Sequence, residues 1–225
     1  MKDKTDITIE TYNNIVDEFE NYYQSEHLNN HVPFQKEIDF LVARLPNFAT
    51  ILDAGTAFGH YPRHLTAPPL AQKSFDITGI DASNKMIIKA KTNAPKAKFF
   101  VMDVRNIDFP KKSFDAIICF ATLIHLNDQD CINTLNIFDN ILKNNGFIAI
   151  NVMEQNNQDK DIFIDEPLNP KFKTYFNRYT KDFFLNYFAK KGYKVLQIFD
   201  NNLLGKEEAG EALKDLNEFS IIVQK

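Results

Sequence analysis

The spacing of apolar residues changes near residue 49. Before it, Ile9, Tyr12, Ile15, Val16, Phe19 and Tyr22/Tyr23 recur at helical intervals and predict a helix from about Thr8 to Gln24. Phe34, Ile38, Leu41 and Val42 form a second stripe, predicting a helix from near Pro33 to Leu45, with Pro33 suited to its first turn. After residue 49, short apolar runs alternate with helical segments. Ala49–Asp53, Phe75–Asp81, Lys98–Met102, Phe114–Phe120 and Gly146–Val152 read as strands. Helices are predicted after Gly55, from Ser83 to Lys91 with Ser83 as N-cap, and from about Asp128 to Lys143.

Continuous apolar strands separated by helices indicate a mostly parallel sheet covered on both faces, an α/β doubly wound, Rossmann-like architecture. The last third reads differently. Residues Phe163 to Asn177 look irregular, with Pro167 and Pro170 among them. Thr180 then caps a helix through Lys190, and Gly192 ends it. Val195–Phe199 and Glu218–Gln224 have no helix between them, so they predict an antiparallel hairpin at the edge of a seven-stranded sheet, with an acidic insertion near 205–215.

Composition narrows the partners. The 225-residue chain carries a net charge of -4, which gives no global field for phosphate backbones and argues against bulk nucleic-acid binding. No apolar run approaches the roughly 18 residues of a membrane span, and Met1 to Glu10 holds no signal-peptide core. Cys119 and Cys131 lack paired zinc or redox spacing, and Cys119 lies in an apolar run as a buried free thiol would. A cytoplasmic protein, monomeric or homodimeric, without metal or membrane, is expected. Only seven glycines are present, so their positions carry information.

Open parallel sheets bind ligands at the carboxyl ends of their strands. The first strand runs into Asp53-Ala-Gly55-Thr56-Ala57-Phe58-Gly59-His60. Gly55 and Gly59 permit tight turns and close approach of a ligand, and a helix N-terminus follows. The second strand ends in Asp81, a carboxylate able to accept both hydroxyls of a ribose. The third ends in Asp103-Val104, a carboxylate for an exocyclic adenine amino group and a backbone N–H for a ring nitrogen. Three strand ends therefore point to an adenosine-containing ligand. A nicotinamide-binding loop needs glycines at the first, third and sixth positions. Here they fall at the first and fifth, with the acidic Asp53 before them.

The blocks ILDAGTAFGH, ITGIDAS, FFVMDVRNIDFPKKSFDAIICFATLIHL, ILKNNGFIAI and RYTKDFFLNYFAKKGYKVLQI stand in this order. Together they resemble the class I S-adenosylmethionine-dependent methyltransferases over roughly residues 8–225. The resemblance implies one methyltransferase domain over 1–225, with an N-terminal helical cap at 1–47 and a lid-like insertion at 153–180. It implies that Asp53, Gly55, Thr56, Ala57 and Gly59 surround the methionine part of S-adenosylmethionine. Asp81 would bind the ribose, Ala82 and Met86 would lie beside sugar or base, and Asp103 and Val104 would hold the adenine. Phe120 would lie next to the cofactor and face the substrate, and Tyr12 would cover the site. Two features depart from the family pattern: Ala57 replaces a customary second glycine, and the stretch from Gly59 to Asp81, with Pro68-Pro69, is longer than usual.

Residues for the acceptor are less marked. His125, after the fourth strand, is a candidate proton acceptor near the transferred methyl group or a hydrogen-bonded structural histidine. Glu154 and the basic-aromatic group of Tyr175, Arg178 and Tyr179 are candidates for gripping an anionic or planar substrate, or for packing a loop. Asp115 is expected to be a structural carboxylate, and His27 and His31 surface residues. No Asn-Pro-Pro-Tyr or Pro-Cys signature for DNA-base methylation is present, which leaves a small-molecule acceptor as the expected substrate. The alternatives are a non-catalytic sensor of S-adenosylmethionine or S-adenosylhomocysteine and, against the glycine spacing, an NAD-dependent oxidoreductase.

Overall fold

The computed structural model describes residues 3–24, 33–155, 160–202 and 217–225. Helices α1 (Lys4–Asn14), α2 (Val16–Gln24) and α3 (Gln35–Val42) precede β1 (Thr50–Ala54), α4 (His60–Leu65), β2 (Asp76–Asp81) and α5 (Asn84–Asn93). Then come β3 (Lys98–Val101), β4 (Phe114–Phe120), α6 (Asp128–Ile141) and β5 (Leu142–Met153). The chain continues through β6 (Asp161–Asp165), β7 (Lys173–Asn177), α7 (Lys181–Lys190), β8 (Lys194–Asn202) and β9 (Asn217–Gln224).

Seven strands form one sheet in the order β3-β2-β1-β4-β5-β9-β8. The first five are parallel, and β9 and β8 run antiparallel at the edge. The predicted α/β Rossmann-like sheet and its C-terminal hairpin are both present. Successive residues in a strand point to opposite faces, and here both faces are covered. Leu52, Ile117 and Ile148 pack with Leu135 and Phe138 of α6 on one face. Their neighbours Ile51, Ile118 and Ala149 pack with Ile38 and Leu41 of α3 on the other. The chain leaves β1 toward β2 and β3 on one side and returns to β4 and β5 on the other. The strand order therefore reverses between β1 and β4, where a crevice is expected.

Some boundaries differ from the periodic reading. The helix predicted from Thr8 to Gln24 is two helices, interrupted at Ile15. The side-chain amides of Asn13 and Asn14 donate to the carbonyls of Ile9 and Glu10, competing with main-chain hydrogen bonds at the end of α1. The stretch read as irregular contains the antiparallel pair β6–β7, with Pro167 and Pro170 confined to its connection. The strand predicted from Gly146 begins before that glycine. The chain is already in β5 from Leu142, and Asn145 takes the left-handed conformation with φ 63°. Thr180 caps α7 through Phe183 N, and Gly192 has φ 78°, as expected. The insertion near 205–215 and His27 and His31 lie outside the described residues. No helix among the described residues is long and apolar enough to cross a membrane.

Candidate active site

One cavity opens at the carboxyl ends of β1, β2 and β4, beside the point where strand order reverses. Its floor begins at the loop after β1. Gly55, Ala57 and Gly59 have φ of 81°, 46° and 84°, three left-handed residues within five. A Cβ on Gly55 would stand 2.0 Å from Thr122 Oγ1, so protein packing already demands glycine there. Gly59 is the N-cap of α4, and its Cβ would lie 3.1 Å from the Ala90 backbone. Ala57 holds its left-handed conformation against the steric cost of a β-carbon, of order 1–2 kcal/mol. Its N–H donates to Asp81 Oδ2 at 2.9 Å, which fixes the turn to the end of β2.

Two carboxylates meet this loop from different depths. Asp53 is buried below it and accepts from Thr56 Oγ1 at 2.5 Å; burial pushes its carboxyl up to about 7. Asp81 lines the cavity and also accepts from Ser83 N at 2.8 Å, while burial raises its carboxyl to about 6. Each Asp81 oxygen has two lone pairs, so one on each is left after these backbone bonds. Ser83 caps α5 by accepting from Met86 N, as predicted.

Asp103 lines the same cavity and accepts from Arg105, through the backbone N at 2.8 Å and the guanidinium at 2.9 and 2.6 Å. The same guanidinium bonds Asp3 at 2.9 Å and Asp6 at 2.7 Å, tying α1 to the loop after β3. Asp103, and after it Asp6, hold Arg105 protonated more firmly still.

His125 stands on the other wall. Its Nδ1 lies 2.8 Å from the Tyr175 carbonyl oxygen. A carbonyl only accepts, so Nδ1 carries the proton and Nε2 is left as an acceptor. The Tyr12 hydroxyl lies 3.3 Å from that Nε2. Burial lowers His125 to about 4, and the ring is neutral at pH 7.

Ten of the twelve residues expected around the cofactor line this cavity: Tyr12, Gly55, Thr56 and Ala57, then Asp81, Ala82 and Met86, then Asp103, Val104 and Phe120. Asp53 and Gly59 do not; one braces Thr56 and the other packs on α5. The candidate acceptor residues Glu154, Tyr175 and Arg178 stand apart from it. Glu154 faces Lys181 at 3.3 Å. Tyr175 is buried with its hydroxyl 3.4 Å from Asp161 and Lys4 over its ring, and Arg178 is buried nearby in the chain. The β6–β7 hairpin reaches the site by a backbone carbonyl rather than by these side chains. Asp115 is structural, bonded to Thr50 and Lys143 at the start of β4. Cys119 and Cys131 are buried free thiols, and burial raises both.

Sequence reasoning missed Phe19, Phe34, Phe58, His60 and Tyr61 in the wall, and Thr5 and Thr8 from α1. The aromatic residues look like ordinary core positions in a linear pattern. Arg105 was missed because its partners Asp3 and Asp6 are about a hundred residues away.

Comparison with known proteins agrees with this geometry. YqeM of Bacillus subtilis (strain 168) is 30% identical over 132 residues, covering 56% of this chain and 51% of that protein. The glycine/sarcosine N-methyltransferase of Aphanothece halophytica is 27% identical over 160 residues, 67% of this chain and 57% of that enzyme. The chain thus spans about half the length of the curated relatives it matches. Magnesium protoporphyrin IX methyltransferase from Synechocystis PCC 6803, solved with bound S-adenosylmethionine, superposes with a TM-score of 0.67 at 16% identity, over 100% of this chain and 98% of that one. That likeness establishes a shared fold. The family described as "Methyltransferase domain" matches residues 24–198, from the last residue of α2 into β8 and so across the strand ends that line the cavity. By that match over most of its length, the chain belongs to the methyltransferase domain family.

Proposed function

We propose that the chain binds S-adenosylmethionine at these strand ends and methylates a small-molecule acceptor. The observation that carries this reading is the placement of two carboxylates, Asp81 and Asp103, in one cavity with the left-handed loop Gly55–Ala57. The donor set suits the ligand. Asp81 accepts the ribose hydroxyls, Asp103 accepts the adenine amino group, and Val104 offers its backbone N–H to the ring. Among the described residues no lysine or arginine lines the cavity. That suits a ligand with a sulfonium and an ammonium better than a dinucleotide, whose pyrophosphate is charge-paired by lysine or arginine.

Bound there, S-adenosylmethionine would supply an electrophilic methyl group to the acceptor's lone pair, with S-adenosylhomocysteine as the leaving product. The protein's part is positioning, which supplies about 7–11 kcal/mol in favourable systems. Phe120 and Tyr12 flank the acceptor space. His125, neutral at pH 7, takes the proton that the methylated acceptor sheds, relayed through the Tyr12 hydroxyl bonded to its Nε2. The acceptor is small because α1 crosses the cavity mouth, pinned by Arg105 and by its threonines.

Thermal-shift comparison of S-adenosylmethionine, S-adenosylhomocysteine and NAD tests the donor. Stabilisation by the first two is expected; a larger shift with NAD overturns the reading. Turnover of methyl-labelled donor with a metabolite extract tests the reaction, and binding without any transfer indicates the sensor instead. Tight binding of tRNA or DNA contradicts the small-molecule acceptor.

A further inference from the structure

The rings that line the cavity form one unbroken arc. His125 meets Tyr12 at 5.4 Å between centroids, Tyr12 meets Phe19 at 5.6 Å, and Phe19 meets Phe58 at 6.0 Å. From Phe58 the arc continues to His60 at 6.0 Å, Tyr61 at 5.5 Å and Phe120 at 5.4 Å, and ends on Phe34, 5.1 Å from Phe120. These rings come from α1, α2, the approach to α3, the β1–α4 region, the end of β4 and the turn after it. Segments this far apart in the chain converge only around the cavity. Most of the rings, including Tyr12, Phe34 and Tyr61, are only partly buried, so surface remains for a ligand.

Charge sets the second condition. Asp81 and Asp103 are the charged residues of the lining, and ring faces are themselves electron-rich. The hydroxyls of Thr5 and Thr8 are already bonded to backbone, to the carbonyl of His125 and the N–H of Tyr175. An acceptor carboxylate or phosphate therefore finds no counter-charge among the described residues. At one end of the arc, the Tyr12 hydroxyl donates to His125 Nε2, and its oxygen can accept from a ligand.

Resting on the donor reading above, we infer that the methyl acceptor is a planar aromatic or heteroaromatic molecule without negative charge, packed against Phe34, Tyr61 and Phe120 with its O–H or N–H directed to the Tyr12 hydroxyl that bonds His125. This sets the chain apart from enzymes whose acceptors are amino acids bearing a free carboxylate.

Calorimetry tests this in two stages. The first titrates S-adenosylhomocysteine; failure at this stage rejects the donor reading itself. The second adds probes to the S-adenosylhomocysteine-saturated protein: catechol and 8-hydroxyquinoline, then 3,4-dihydroxybenzoate and sarcosine. The uncharged aromatics are expected to bind about ten-fold more tightly than the carboxylates. Phe34→Leu and Tyr61→Leu, which keep apolar bulk, are expected to weaken aromatic-probe binding by about five-fold. They should leave S-adenosylhomocysteine affinity within about two-fold. The inference is overturned if neither aromatic probe binds, if a carboxylate binds as well as catechol, or if both leucine variants bind the probes like the wild type.

Discussion

Across the sheet, Ile51, Leu52, Ile117 and Ile118 are wholly buried among other apolar side chains. Helix α1, which covers the open end of the same sheet, instead buries Thr5, Thr8 and Thr11. Each of these threonines bonds to backbone. Thr5 donates to the His125 carbonyl at 2.8 Å, Thr8 accepts from Tyr175 N at 3.0 Å, and Thr11 donates to the Lys173 carbonyl at 2.7 Å. The ion pairs of Arg105 and that of Lys4 with Asp161 complete the attachment. Burial of a large apolar side chain is worth about 1.5–3 kcal/mol. A hydrogen bond contributes about 0.5–1.5 kcal/mol net, and an exposed ion pair less. The sheet is thus built to stay closed, and the cap to release at lower cost.

The largest expected effect lies in the core where α6 packs on the sheet. Phe138→Ala should cost about 3–5 kcal/mol in urea denaturation, and a loss below about 1 kcal/mol would mean that this face is loosely packed. The cap should respond more locally. Thr8→Val strands the buried Tyr175 N–H at a cost of about 1–3 kcal/mol. Its signature is faster hydrogen exchange in α1 and β7, with β4 unchanged. Exchange in wild-type α1 as slow as in β4 would break the contrast.

The pH dependence sharpens it further. His125, wedged between α1 and β7, is lowered to about 4, so its contribution is fully present above pH 6.5 and is lost as pH falls toward 4. Asp81 and Asp53, raised to about 6 and 7, act in the opposite sense: folding favours their protonated forms, so their contribution declines as pH rises through that range. Comparison of wild type with His125→Gln isolates the histidine. The stability advantage of the wild type should shrink by about 1–2 kcal/mol between pH 7 and pH 5. A constant difference removes the titrating role. The smallest effect belongs to Ala57→Gly. Relief of the φ of 46° opposes the added freedom of the unfolded chain, so stability should change by less than about 1 kcal/mol. A larger loss, read from the same urea curves, would show that the methyl group of Ala57 packs.

The same contrast explains what was legible in the sequence. Strand β4 was placed residue for residue at Phe114–Phe120, because a doubly covered strand writes itself as an apolar run. Asp81 and Asp103 followed from the strand ends. The boundaries of α1 and α2 are not legible, since the docking face of α1 is a threonine stripe that hydrophobic periodicity does not detect. The wall rings Phe34, Phe58 and Tyr61 are indistinguishable from core residues until the fold gathers them. β6–β7 escaped because Lys173-Thr-Tyr-Phe-Asn177 mixes polar and apolar positions and two prolines sit beside it. Tyr175 packs beneath Lys4 of α1, and Arg178 is buried outside the cavity lining.

The central claim is that the strand-end carboxylates of this fold hold an adenosine-bearing methyl donor. Calorimetric titration of S-adenosylhomocysteine into the wild type and Asp81→Ala tests it most directly. The expected result is saturable one-site binding by the wild type, weakened about ten-fold or more in the variant while its fold is retained. Equal affinity in both proteins, or a preference of the wild type for NAD, would contradict it.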